Sequence, residues 1–379
     1  MQRREALEAM AGALAAGSAL RAAGPGRAAK HALSPLTING LGGLEDPNLR
    51  IAGDPPSGED PWTPRVLRDL KASGLTALNL TLGPVAGPGD PFEASVRDLA
   101  RTGRLLRAHR DALVPVRSAS DILAARAGGR TGIIFGFQNT AMLGGNLDRV
   151  DLFADLGVKI IQLTYNARNL AGDGSMEAAN QGLTDFGRQL VGRLEATRTL
   201  MDLSHSGERT CLEALEASRR PALISHSGCR ALCDQPRNKT DRELKLLADK
   251  GGVLGLYFMP YLKGDSFPTA LDLVLHVEHA IQVCGEDHVG LGTDGGTTPV
   301  DDLEALKAVV TKEIEARRAA GISASGEKPG VVPLLPDLQG PDQFRKFAAM
   351  MKARGHGTAR IEKLLGGNFL RVMRDVWGD

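Results

Sequence analysis

The chain has 379 residues, of which 42% are hydrophobic and 24% charged, with a formal net charge of +1. This length admits two average domains or one large αβ barrel with appendages, and the apolar content excludes a mainly disordered chain. No basic stripe is interleaved with aromatics, so nucleic acid is excluded as an expected partner.

In chain order, residues 1–30 read differently from the rest. Arg3 and Arg4 precede Leu7 and an Ala-, Leu- and Gly-rich run to Leu20, the pattern of a twin-arginine export signal. The run is too short and too rich in alanine for a stable membrane span. The expectation is a periplasmic or otherwise exported bacterial protein, handled by the twin-arginine machinery, with residues 31–379 as one domain. The competing reading is an amphipathic N-terminal helix, whose apolar face Glu5 and Glu8 would interrupt.

Nine apolar runs then read as strands: LTINGLGG from Leu36, LTALNLTL from Leu75, ALVPVR from Ala112, TGIIFGFQN from Thr131, VKIIQLTYN from Val158, TLMDLSH from Thr199, PALISH from Pro221, GVLGLYF from Gly252 and HVGLGTD from His288. Segments with apolar residues three and four apart, such as TDFGRQLVGRLEATR and TDRELKLLADKG, alternate with them as helices. Almost wholly apolar strands alternating with helices call for a parallel sheet covered by those helices. Eight strands make a (β/α)8 barrel of the TIM type, and Pro115 marks ALVPVR as the adjunct. Gln138, Tyr165, His205, His226 and Asp294 each follow the apolar core of a different strand, where such a barrel assembles its active site. A doubly wound sheet would gather them at one switch point. From Thr297 to Pro341 the pattern loosens into a helix and a Pro- and Gly-rich stretch. PDQFRKFAAMMKARG and TARIEKLLGGNFLRVMRDVWG are then expected as two C-terminal helices closing the barrel's side.

Ser204-His205-Ser206 and Ser225-His226-Ser227 place histidines just past neighbouring apolar strands. Imidazole is the commonest protein ligand for a catalytic divalent metal, so these two are candidate ligands. Asp294 can move a proton, and Arg237, eleven residues after His226, can grip a carboxylate. His276 and His279 sit three apart on an apolar helix and are expected as an outer-face pair. Asp173 and Glu177 contact substrate or cap a helix. Cys211, Cys229, Cys233 and Cys284 form no CxxC pair and are expected as buried thiols, with a disulfide open in an oxidising compartment.

DLSHSGERT, ISHSGCRALCDQPRNKTD, LADKGGVLGL and DHVGLGTDGG, in that order and with GVKIIQLTYNARNLAGDG and KLLGGNFLRVMRDVW, resemble the membrane (renal) dipeptidase family, the M19 metallopeptidases. The resemblance runs from about Leu36 to the C-terminus. It implies a (β/α)8 barrel with two zinc ions at the strand ends, hydrolysis of dipeptides and, often, a homodimer. By position, His205 and His226 match the histidines of the second zinc. Asp294 matches the acid/base near the first, and Arg237 the arginine that receives the substrate's carboxylate. The chain departs from the family where its His-x-Asp pair becomes Leu41 and Gly43, its bridging glutamate becomes Gln138, and its substrate-side histidine becomes Tyr165. The expectation is therefore a hydrolase of dipeptides or small amides with one divalent metal, zinc by preference, at His205 and His226. Asp294 is then the acid/base, and Arg237, Tyr165 and Gln138 are substrate contacts. The alternative is a metal-poor homologue that tailors or binds a peptide-derived metabolite.

Overall fold

Each of the nine apolar runs forms a strand: β1 (Ile38–Gly42), β2 (Ala77–Thr81), β3 (Leu113–Val116), β4 (Thr131–Phe137), β5 (Val158–Gln162), β6 (Leu200–Asp202), β7 (Leu223–Ser227), β8 (Val253–Leu256) and β9 (Val289–Leu291). The computed structural model describes residues 35–52, 60–264, 266–319 and 328–379, so the export signal expected in residues 1–30 lies outside the described residues. Every strand pairing is parallel, in the order β1-β2-β4-β5-β6-β7-β8-β9, and β3 pairs with β4 off this path. Proline has no N–H to give a ladder, which accounts for the marginal place of β3. Helices Pro64–Ser73 and Ala119–Ala127 escape the sequence reading, the second because it lacks a strong apolar period. Pro64–Ser73 starts at a Thr63 cap with proline in its first turn, and Ala119–Ala127 starts at a Ser118–Asp121 capping box.

Between β9 and β1 the sheet closes by side chains more than by ladder. One bridge, Gly42 to Gly295, spans the gap. Asn39 Nδ2 donates to Thr293 Oγ1 at 2.8 Å, and Asn39 Oδ1 accepts from Thr293 N at 2.8 Å. Asp294 N then donates to the Leu41 carbonyl at 3.0 Å. The result is a nearly closed eight-stranded barrel whose seam fixes the backbone at Asp294.

The barrel interior is filled from below. Ile38, Ala77, Leu200, Leu223 and Val253, each the first residue of its strand, cluster with Phe369, Met373 and Trp377 of the last helix, Asn368–Trp377. A Cβ on Gly40 or Gly290 would lie 2.4 or 2.5 Å from the Phe369 ring, so the strands need glycine there to admit it. This corrects the expected placement of the C-terminal segment. Helix Gln343–Ala353 does pack its Phe344 and Phe347 into the core outside the barrel wall, but the final helix plugs the end opposite the strand C-termini.

His276 also departs from expectation. It lies four residues before Ala280 and three after Leu273, on the buried face of helix Ala270–Cys284. There Nδ1 accepts from Cys229 N at 3.0 Å, Nε2 donates to the Leu262 carbonyl at 2.9 Å, and burial pushes its pKa down to about 4. His279 pairs separately with Asp241. All four cysteines are buried free thiols, and among the described residues no helix is long and apolar enough to cross a membrane.

Candidate active site

β6 and β7 run side by side in parallel and deliver His205 and His226 to the same point. Their Nε2 atoms lie 2.9 Å apart and their ring centroids 5.0 Å apart. His205 Nδ1 faces Asn166 Oδ1 at 2.7 Å, and His226 Nδ1 faces Ser225 Oγ at 2.9 Å. Burial and then the charge of Arg237 hold both imidazoles well below their ordinary pKa, so both are neutral through the physiological range. With their Nδ1 atoms engaged by oxygen, the two Nε2 atoms converge as a pair of ligands would on one ion. A tetrahedral ion with zinc–nitrogen bonds of about 2.0–2.1 Å holds two nitrogens about 3.3 Å apart, so a small outward shift of the rings would admit it.

The ring of Tyr165 stacks on His205, with centroids 4.1 Å apart and planes 23° from parallel. Buried Arg237 donates through Nη1 to the Ser204 carbonyl, and its guanidinium lies 6.0 Å from the ring of Tyr257. Tyr257, fully buried, donates its hydroxyl to Asn238 Oδ1 at 2.5 Å. Lys239, also buried, donates to the Ser206 carbonyl at 2.6 Å and pairs with Glu243 at 3.3 Å. Two cations thus underlie the histidines, which suits an anionic ligand group and opposes protonation of the imidazoles.

Asp294 sits beyond β9 with φ at 56°, a left-handed conformation that aspartate tolerates better than most residues. Burial pushes its carboxyl up to about 7, against the pull of Arg237 and with help from the negative charge of Glu45. Glu45 was not among the residues expected from sequence. A Cβ on Gly43 would fall 2.5 Å from Glu45 Oε2 and 2.8 Å from its carboxyl carbon. The Glu45 carboxylate therefore fills the space that a side chain at position 43 would occupy. It keeps contact with water, yet the protein packed around it raises its own pKa, with Arg50 opposing. A cavity of about 310 Å³ opens beside Glu45 and Asp294, walled by Phe258, Met259, Leu335 and Gln343. That is room for a small molecule.

Gln138 is held by its neighbours on β2 and β5. Its Nε2 donates to Thr81 Oγ1 at 2.7 Å, and its backbone carbonyl accepts from Gln162 Nε2 at 2.6 Å. Asp173 is spent on Arg168 and the backbone of Gln181, and Glu177 accepts from Arg168 N at 2.8 Å, so this pair knits the loop after β5. Among the described residues no three His, Cys, Asp or Glu side chains converge on one point where a metal would bind. The histidine pair supplies two of the ligands that one ion would need. Leu41, a buried apolar side chain, and Gly43, which has none, supply no ligand, and Gln138 gives its Nε2 to Thr81.

Comparison with known proteins places this geometry in a family. The family model for membrane dipeptidase, peptidase family M19, matches residues 76–323. An uncharacterized Klebsiella pneumoniae protein from the pqqA 5′ region is 28% identical over 76% of this chain and 98% of its own length. The dipeptidase tcpJ of Claviceps purpurea is 28% identical over 72% of this chain, and the match spans 57% of that longer protein. Among solved structures, an amidohydrolase from Pseudomonas aeruginosa superposes with a TM-score of 0.75 at 31% identity, covering 91% of this chain and 97% of that one. A Rhodobacter sphaeroides metallopeptidase bound to a phosphinate mimic of L-Ala-D-Ala shares the fold, with a TM-score of 0.68 at 21% identity over 90% of this chain and 99% of that one. The parallel barrel, the paired histidines at its mouth and the match over most of its length agree: the chain belongs to the membrane dipeptidase family of metal-dependent hydrolases, peptidase family M19.

Proposed function

We propose that the chain hydrolyses dipeptides or related small amides with one divalent metal ion, zinc being the ion best matched to imidazole ligands. The observation that carries this reading is the convergence of His205 and His226 through Nε2 at 2.9 Å. When bound, the ion supplies Lewis-acid polarisation and makes water more acidic. The protein's own groups do the rest. Asp294, with a carboxyl near 7, takes up and releases a proton in the working range. Arg237 offers positive charge to a substrate carboxylate, and Tyr165 walls one side of the pair.

Elemental analysis of protein purified without chelator tests the reading. The expected result is about one ion per chain, lost together with dipeptide turnover in His205→Ala and His226→Ala. Asp294→Asn keeps the ion and lowers kcat/KM by about 10²–10⁴. No ion in the wild type overturns the one-metal reading. The replacement of metal-binding positions by Leu41, Gly43 and Gln138 then favours a metal-free protein that tailors or binds a peptide-derived metabolite.

Export is part of the same proposal and rests on Arg3, Arg4 and the small-residue run after them. Replacing both arginines with lysine is expected to hold the protein in the cytoplasm, read by cell fractionation. An unchanged distribution would defeat this part alone.

A further inference from the structure

We propose that Asp202 is a positioning residue that acts through Ser225 to keep the Nε2 lone pair of His226 turned toward His205, holding the imidazole pair open to a divalent cation. The purpose of this device rests on the one-metal reading; its geometry does not. Asp202 ends β6 and is 1% exposed, a buried carboxylate held by donors from two strands. Its Oδ1 accepts from Ser204 N at 3.0 Å, Ser204 Oγ at 2.5 Å and Ser225 N at 3.0 Å. Its Oδ2 accepts from Ser225 Oγ at 2.6 Å.

Both serine hydroxyls therefore point their hydrogens at one carboxylate. Ser225 Oγ has only lone pairs left for His226 Nδ1 at 2.9 Å, so Nδ1 carries the single N–H of the neutral imidazole and Nε2 is bare. Ser204 Oγ, its hydrogen likewise given to Asp202, accepts from His226 N at 3.1 Å and fixes the backbone of the same residue. At His205 the side-chain oxygen of Asn166 imposes the same tautomer. The 2.9 Å between the Nε2 atoms is also the length of a hydrogen bond, which a proton on either one would make; the oxygen partners at both Nδ1 atoms oppose that and leave the two lone pairs for a cation.

Asp202→Asn inverts this order without changing shape. Three donors meet at Oδ1, so the amide oxygen takes that position and the amide nitrogen replaces Oδ2. The nitrogen donates to Ser225 Oγ, whose own hydrogen turns to His226 Nδ1. Nδ1 becomes an acceptor, and the imidazole proton moves to Nε2 with no proton gained or lost. The new N–H points at His205 Nε2 and closes the pair as an internal hydrogen bond. Ser225→Ala removes the acceptor at Nδ1 while leaving Asp202 in place, and it favours the same shift.

The test is imidazole ¹⁵N–¹H NMR of the metal-free full chain, with zinc affinity measured by chelator competition. Wild type is expected to show His226 with its proton on Nδ1. Both variants are expected to show it on Nε2 and to bind zinc about 10–100-fold more weakly. Ser225→Ala decides the matter if Asp202→Asn fails to fold. A wild-type proton on Nε2, or a proton still on Nδ1 in the folded variants, overturns the proposal. If the tautomers behave as stated but wild type binds no zinc, the one-metal reading fails and the positioning role stands.

Discussion

Asp294 and Glu45 set the response of the mouth to pH. A carboxyl raised to about 7 from an ordinary 3.8 binds a proton in the folded state that the unfolded chain has already released. Its contribution to stability is therefore complete below pH 3.8 and is lost as pH rises through about 7. Asp294→Asn is expected to flatten that fall, read from denaturant midpoints across the interval. As a general base the same group gives activity that rises through about pH 7. Because the charge of Glu45 helps to raise Asp294, Glu45→Gln is expected to move this limb to lower pH. A limb that stays in place in the pH–rate profile would show that the two carboxylates do not interact. His205 and His226 were legible in the sequence because an apolar strand followed by histidine carries its own geometry. Glu45 was not, since its relevance depends on the space left empty at Gly43. Asp202 lay inside a motif already singled out, but its role depends on the register of β6 against β7, which brings Ser225 to it.

The strands were readable as elements because burial on both faces leaves almost no polar residue in their cores. Their closure was not. The β9–β1 seam depends on Asn39 and Thr293, 254 positions apart in the chain, and a lone asparagine in a strand announces no partner. The closing segment TARIEKLLGGNFLRVMRDVWG reads as one helix, yet it divides into Thr358–Glu362 and Asn368–Trp377 on either side of Gly366 and Gly367. Periodicity identifies its apolar face but not the surface that face meets. The glycines at positions 40 and 290 admit Phe369, and they lie on strands far from the helix in sequence. Phe369→Ala would leave a cavity that strand backbones cannot collapse to fill, at a cost of about 3–5 kcal/mol. Urea denaturation measures this, and a loss below about 1 kcal/mol would show that the ring is not a core element.

Across the whole molecule the barrel has two unlike ends. Arg237, Lys239, Asp202 and Asp294 gather at the mouth, while the opposite end is sealed by apolar side chains from β1, β2, β6, β7, β8 and the last helix. Chemistry is thereby kept to one end and stability to the other, the usual division in this architecture. The seal has a consequence for synthesis. Ile38, near the start of the described chain, shares a cluster with Val376 and Trp377, so the interior stays open to water until the final helix has left the ribosome. A nascent chain stopped before Asn368 is expected to be cut by protease under conditions that spare the full-length protein, and equal resistance of the two would contradict this. The fold thus acts as a check on completeness: a truncated product cannot conceal its unfilled interior and is open to removal by cellular proteases.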